Sequence, residues 1–343
     1  MARPPERESS FRADRSSRVV AVTGSASFIG RNLLGLLEED PHITRVVSFD
    51  MEAPVTAGSK TKHYGLDLAQ PNAQERLVEV FGAEHVDTVV HLGFLPSPVR
   101  RRALSHEVES IGTLRVVNAC RQTSVNKLVA WSQTVLYGAL PTNPNFLSER
   151  SPLQARREEP FFADKIQAEN EIARFGSPGK GRVVTILRTG AILGPRIRNY
   201  LTRYLSHRVV PMVLGFDPLW QFLHEADAVA AFKLAVDRDV PGTFNIVGSG
   251  VLPLSMVIRL AGRTPLPLPR SVADVTWGSL WLAQLADMPS TFIDYLQYLC
   301  VADGSLAEKT LGFVPAFSSR EALLDYANAQ HLRDAKLMAE KAQ

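Results

Sequence analysis

The sequence predicts an α/β protein on a doubly wound parallel sheet, and three observations predict it. The apolar run Val19 to Val22 breaks at Thr23 and Gly24, after which Phe28, Ile29, Leu33, Leu34 and Leu37 recur at helical spacing. Further runs of strand length follow at Ile43 to Phe49, Val86 to Leu92 and Lys127 to Trp131, with helical stretches between them. A carboxylate, Asp50, ends the second run. Strands that alternate with helices pair through right-handed βαβ crossovers, and this builds a parallel sheet.

The first strand, glycine turn and helix have the order of a dinucleotide-binding turn, TGSASFIG. Gly24 permits a tight turn, and Gly30 lets the helix pack closely on the strand. Unpaired N–H groups at the helix start, near Phe28 and Ile29, suit a pyrophosphate. Ser27 holds the central position and puts a Cβ near that pyrophosphate. Asp50 lies about 20 residues on, where a carboxylate accepts hydrogen bonds from adenine ribose hydroxyls and repels a 2′-phosphate. This favours NAD over NADP; the alternative is a strand-end turn aspartate.

His63 to Gly65 can form a short strand with Asp67 and Leu68 beyond its end, and residues 72–82 suit a helix. The next strand ends at Leu92 and Gly93, where glycine lets backbone approach a ligand. His91 at its end reads as a packing residue. Residues 106–123 form a long helix with Ile111, Leu114, Val116 and Val117 on its apolar face. The following strand runs into Ser132-Gln133-Thr134-Val135-Leu136-Tyr137-Gly138.

Composition narrows the classes. The 343 residues are 45% hydrophobic, enough for a sizeable core in one large domain or two smaller ones. A net charge of +3 with no concentrated basic stretch argues against a nucleic-acid binder. Two cysteines, Cys120 and Cys300, cannot build a disulfide framework, so a reducing cytoplasm is expected. No apolar run approaches the roughly 18 residues of a membrane span. Residues 1–17 lack the apolar region of a signal peptide and read as a disordered arm. No metal-ligand spacing and no G-x-S-x-G elbow occur.

Ten stretches together carry a family resemblance: TGSASFIG, the strand ending in Asp50, LDL at 66–68, VDTVVHLG, WSQTVLYG, FFADKIQAE, LRTGAILGP, FLHEAD, GTFNIVG and LGFVPAFSSREAL. In that order the chain resembles an extended short-chain dehydrogenase/reductase of the NAD-dependent epimerase/dehydratase family, over about residues 18–326. The resemblance implies a Rossmann domain on a seven-stranded sheet at 18–195, with 220–248 returning to it. It also implies a smaller C-terminal substrate domain from 196–219 and 249–326. Residues 319–339 would be a C-terminal helix on the surface, with 327–343 a helical tail, and the Pro-rich segment Pro265 to Pro269 a connection. NAD would be held by Gly24, Ser27, Phe28, Ile29, Gly30, Asp50, Asp67, Leu68, Leu92, Gly93 and Lys165. A homodimer paired through the helix at 106–123 and the helix holding Lys165 is also implied.

The resemblance further implies a Ser or Thr after the fifth strand and a Tyr-x-x-x-Lys pair one helical turn apart. The lysine would lower the phenol pKa and hold the nicotinamide ribose while the phenol exchanges a proton with substrate. Lys165 fills the lysine position, but Phe161 stands where the tyrosine belongs and Gln133 where the Ser or Thr belongs. A substrate-side asparagine corresponds to Ala191, after Arg188. The arginine that grips a sugar diphosphate in nucleotide-sugar relatives corresponds to Trp220, a neutral indole. Trp220 either packs in the core or stacks on a flat ligand.

Arg196, Arg198, Arg203, His207 and Arg208 form a basic stretch in which Arg196 and Arg203 could share a helix face. His224 and Asp227 read as structural.

Two readings follow. In one, the chain binds NAD and a small molecule, but the usual redox chemistry is altered or lost. In the other it is an active epimerase, dehydratase or reductase with a relocated acid/base, for which Tyr137, Thr134, Tyr200, Tyr204 and Asp164 are the candidates; Ser132 would serve if the loop shifts by a residue.

Overall fold

The computed structural model describes residues 17–55, 58–176, 181–282 and 288–341. Residues 1–16 of the expected N-terminal arm and the last two of the tail lie outside them.

The chain opens with β1 (Arg18–Thr23), α1 (Phe28–Glu39), β2 (Ile43–Asp50), β3 (Thr61–Gly65), α2 (Ala73–Ala83) and β4 (Thr88–His91). Helix α1 forms where Ile29, Leu33, Leu34 and Leu37 share one buried face, and Ser27 caps it by accepting the Gly30 N–H at 3.0 Å. Next come α3 (Arg102–His106), a π-helical turn at Glu107–Ile111, α4 (Gly112–Gln122), β5 (Lys127–Gln133) and α5 (Pro160–Phe175). The long helix expected at 106–123 thus starts earlier, at Arg102, and is interrupted by that π turn.

The remaining elements are β6 (Val183–Thr189), β7 (Ala191–Leu193), α6 (Tyr200–Tyr204), β8 (Val209–Val213), β9 (Leu219–Trp220), β10 (Phe222–His224) and α7 (Glu225–Asp237). They continue with β11 (Gly242–Ile246), β12 (Leu252–Pro253), α8 (Leu254–Leu260), β13 (Thr264–Leu268), α9 (Arg270–Leu282) and α10 (Ser319–Lys341).

Seven strands form one parallel sheet in the order β11-β6-β5-β4-β1-β2-β3. Helices α1 and α7 pack together on one face, where Leu33, Leu37, Phe232 and Val236 are fully buried. Helices α2, α4 and α5 cover the other face with Phe81, Val116, Cys120 and Phe175. The strand order reverses between β1 and β4, and in such sheets the crevice beyond the strand ends at that point takes the ligand.

A second core gathers α6, α8, α9, residues 290–296 and the first turns of α10 around Tyr204, Leu205, Ile258, Ile293 and Leu323. Phe161 and Phe162, from the first turn of α5, belong to this core and not to the sheet. Two expectations are corrected here. The Pro-rich segment is not a mere connection: β13 pairs in parallel with β8 along its whole length. Its prolines, Pro265 and Pro267, are two residues apart, so both missing N–H groups fall on one side of the strand while the other side keeps its donors. Helix α10 is not a surface helix throughout, because Ala322, Leu323, Tyr326 and Ala327 are buried before it emerges.

Candidate functional site

A cavity of about 430 Å³ opens beyond the strand ends, from the glycine turn to the second core. Ser27, Phe28 and Ile29 line one end of it. The N–H groups of Phe28 and Ile29, in the first turn of α1, have no partner among the described residues. Gly24 sits at φ +70°, and a Cβ there would lie 2.5 Å from the Leu92 carbonyl. A Cβ on Gly30 would lie 2.4 Å from the Gly24 oxygen. The two glycines therefore close the turn onto the backbone after β4 and onto α1, at the end of the cavity that Ser27, Phe28 and Ile29 line. Ser27 stands as the helix cap, which occupies its hydroxyl and accounts for a side chain at that position.

Asp50 receives the Ala26 N–H at 2.9 Å and the Met51 N–H at 2.8 Å. It thereby ties the end of β2 to the turn, leaving lone pairs for a further donor. Asp67 caps its own turn through the Ala69 N–H at 2.9 Å. Leu68 packs close to Gly93, where a Cβ would come within 2.8 Å of its side chain. Asp50, Asp67, Leu68, Leu92 and Gly93 stand outside the cavity lining.

Lys165 does not reach the cavity. It borders a small adjoining recess with Phe94, Trp131 and Gln133. Its ammonium donates to both carboxylate oxygens of Glu109, at 2.9 and 3.0 Å, and to the Leu95 carbonyl at 3.3 Å. The rings of Phe161, Phe94 and Trp131 surround it, at 4.8, 5.1 and 5.9 Å. Glu109 has no exposed surface, and this burial raises its carboxyl pKa against the pull of the lysine charge. An ammonium has three donors, and all three are engaged here. In this structure Lys165 is held by Glu109 and the Leu95 carbonyl.

The relay candidates are distributed as follows. Ser132 hydrogen-bonds Glu169, which is also ion-paired with Arg188. Tyr137 donates to Asn245 and accepts from Arg188, both at 2.8 Å, and burial raises its pKa. Tyr204 donates to the Pro211 carbonyl at 2.7 Å and lies outside the cavity lining. Asp164 pairs with His106 at 2.8 Å, away from the cavity. Of the candidates, only Thr134 and Tyr200 line the cavity. The Tyr200 ring meets Phe161 and Phe292 edge-on, at 6.2 and 5.0 Å between centroids. Its hydroxyl has no partner among the described residues, and burial raises its pKa.

Gln133, Thr134, Ala191 and Trp220 all line the cavity. Trp220 both packs and lines: its indole donates to the Tyr295 carbonyl at 3.1 Å and lies between Tyr204 and Phe222. Arg196 and Arg198 are exposed at the rim, whereas Arg203 sits in α6 outside the lining, so the expected shared helix face does not form. His224 caps α7 and stacks on Phe317, and Asp227 accepts the N–H groups of Ala316 and Phe317 at 3.0 Å.

His91 lies fully buried between the hydroxyls of Thr23 and Thr113, at 2.7 and 2.9 Å. Burial first, and the Lys165 charge second, push its pKa down to about 3. An unfolded histidine titrates near ~6.5, so the folded state binds fewer protons between the two values. Its contribution to stability is complete above that point and falls by up to ~1.4 kcal/mol per pH unit as pH drops toward 3. Urea unfolding at pH 7.5, 6 and 5 should show this slope in the native chain, and His91→Gln should flatten it. Equal slopes in the two proteins would remove His91 as the cause.

Two features of the site escape the sequence reading. Glu109 had a signal: it falls on the apolar stripe with Thr113, Val116 and Cys120, where a lone carboxylate calls for a buried cation. The aromatic wall from Phe292, Tyr295 and Tyr298 had none, because nothing local links residues 292–298 to the end of β5.

The sequence profile of the NAD dependent epimerase/dehydratase family matches residues 20–247. An uncharacterized Mycobacterium tuberculosis protein is 31% identical over 323 residues, 92% of this chain and 85% of the relative. A Streptomyces 3-diazoavenalumate denitrifying reductase is 26% identical over 281 residues, 78% of this chain and 89% of the relative. Among solved structures, DesIV of Streptomyces venezuelae, a dTDP-glucose 4,6-dehydratase with NAD and TYD bound, is 17% identical with a TM-score of 0.71. That match covers 93% of this chain and 98% of DesIV, and it concerns the fold alone.

Proposed function

This chain belongs to the NAD dependent epimerase/dehydratase family, and from that premise we propose that it binds NAD and a small-molecule ligand while the family's phenol relay is replaced. The observation that carries the reading is the pairing of Phe161 with an engaged Lys165. Phe161 is 2% exposed, sits in the second core and has no proton to exchange. Every donor of Lys165 is taken by Glu109 and Leu95.

The residues present fit a dinucleotide. The amides of Phe28 and Ile29 and the dipole of α1 suit the pyrophosphate, and the close approach that Gly24 and Gly30 allow leaves room for it. Asp50 would accept a ribose hydroxyl beside its turn bonds. Asp67 and Leu68 would border the adenine, and Leu92 and Gly93 would floor the site. NAD itself would supply hydride transfer at its nicotinamide. Thr134, Ala191 and Trp220 would meet the second ligand.

Tyr200 favours a second reading, since it lines the cavity with its ring against Phe161 and its hydroxyl has no partner among the described residues. In that case it would donate or take the proton in an active oxidoreductase. Calorimetry with NAD and NADH tests the first claim, and sub-millimolar uptake is expected. No uptake at millimolar concentration would overturn it. NADH oxidation against a panel of ketones separates the two readings. Turnover that falls by roughly 10²–10⁴ in Tyr200→Phe would establish the relocated acid, and an absence of turnover in the native chain would favour altered chemistry.

A further inference from the structure

The wall of the cavity carries charge of one sign. Its charged lining residues are the arginines Arg31, Arg196 and Arg198, and no Asp, Glu, Lys or His stands among the described lining residues. Arg31 sits on α1 beside the glycine turn, where the dinucleotide is expected. Arg196 and Arg198 belong to the segment between β7 and α6. Arg198 lies three residues before Leu201, so roughly 10 Å of chain at most separates it from the second core. Leu201, Met288, Phe292 and Leu296 line the cavity from that core.

The segment is fixed at every residue except these two. Glu225, itself buried, accepts the N–H groups of Arg196 and Ile197 at 2.9 and 3.1 Å. Ile197 is buried in the first core, while Arg196 and Arg198 on either side of it are exposed. The Asn199 N–H goes to the Thr202 hydroxyl at 2.9 Å, and its side-chain amide donates to the Ile192 carbonyl at 2.9 Å. Neither the Arg196 nor the Arg198 side chain has a hydrogen-bond or ion-pair partner among the described residues. Arg188 and Arg270, by contrast, are paired with Glu169 and Asp294.

Two cations on the same short segment repel one another until an anion stands between them. The backbone donors of Arg196, Ile197 and Asn199 are spent within the protein, so the segment offers guanidinium forks and no amide cradle. Such forks match the two oxygens of a carboxylate, whereas a phosphate gains most from a nest of free amides. We propose that the second ligand is a carboxylic acid with an apolar body, its carboxylate held by Arg196 and Arg198 and its body against the second-core wall. This names the ligand class of the small-molecule site in the preceding reading and rests on it.

The test is equilibrium dialysis of the full chain with 4-phenylbutanoate and with 4-phenylbutanamide, which has the same body and no charge. In an apolar cavity without a cation the neutral amide binds better, because the acid loses its hydration. Here the acid should bind about tenfold more tightly at low ionic strength. Salt at about 0.5 M should shrink that preference, since both arginines are exposed. The double variant Arg196→Gln with Arg198→Gln should abolish or reverse it. A native chain that binds the amide equally or better overturns the proposal, and so does one that binds UDP-glucose more tightly than the acid. These outcomes need no variant, so a double variant that fails to fold does not remove the test. Dialysis is run with and without NAD. Acid uptake that NAD abolishes would assign the arginines to the phosphates of the cofactor and overturn the proposal. Acid preference without NAD uptake would sink the cofactor reading and leave this one, and NAD uptake without the preference would do the reverse.

Discussion

Replacing Glu109 by alanine should cost the fold about 3–5 kcal/mol, because it strands the Lys165 ammonium in an apolar pocket. The carboxylate has no exposed surface, and the lysine side chain is 5% exposed. Water cannot take over the lost bonds unless the pocket opens. The change also frees the Leu95 N–H, which Glu109 Oε1 accepts at 2.8 Å, so the loop after β4 loses its tether. That loop supplies Phe94 and Pro96 to the cavity wall, and ligand binding should weaken along with stability. The double variant Glu109→Leu with Lys165→Met should recover most of the loss, since removing both charges removes the desolvation cost. Urea unfolding of the single and double variants measures this. A single variant losing less than about 1 kcal/mol, or a double variant no better than the single, would mean that the pair does not hold the site.

Gly30→Ala should cost NAD binding at least a hundredfold, with a smaller loss of stability of about 1–3 kcal/mol from overpacking. The new Cβ would stand 2.4 Å from the Gly24 oxygen and 2.8 Å from the Ser25 Cα, both backbone atoms that cannot swing aside. Relief requires α1 to move off the turn. The amides of Phe28 and Ile29 would then leave their aim, whereas the rest of α1 still packs through Leu33, Leu34 and Leu37. Calorimetry reads the affinity, and circular dichroism confirms that the fold survives. Unchanged affinity in a folded variant would show that the turn is not where the dinucleotide is gripped.

Much of the fold was legible because its signals are local. The apolar runs of β1, β2, β4 and β5, the Gly24 break and the stripe on α1 each declare themselves within about a dozen residues. The place of Asp50 at the end of β2 was legible for the same reason. What escaped depends on distance along the chain. Lys165 looks available until Glu109, 56 residues away, is brought against it. Ser132 and Tyr137 look like relays until Glu169 and Arg188 claim them. Phe161 reads from the sequence as a missing phenol; the structure adds that its position belongs to the second core, beside Phe162 and Phe292. Ser27 reads as an intrusion on the turn until its hydroxyl is seen capping the helix it begins.

The two prolines of β13 carry a last consequence. The small sheet it forms with β8 has only two strands. Any extended segment approaching the outer flank of β13 finds no donor at Pro265 or Pro267 and so cannot be zipped on. The outer edge of this small sheet is thereby insulated against strand recruitment by a neighbouring molecule, a safeguard written with two imino acids and no added charge.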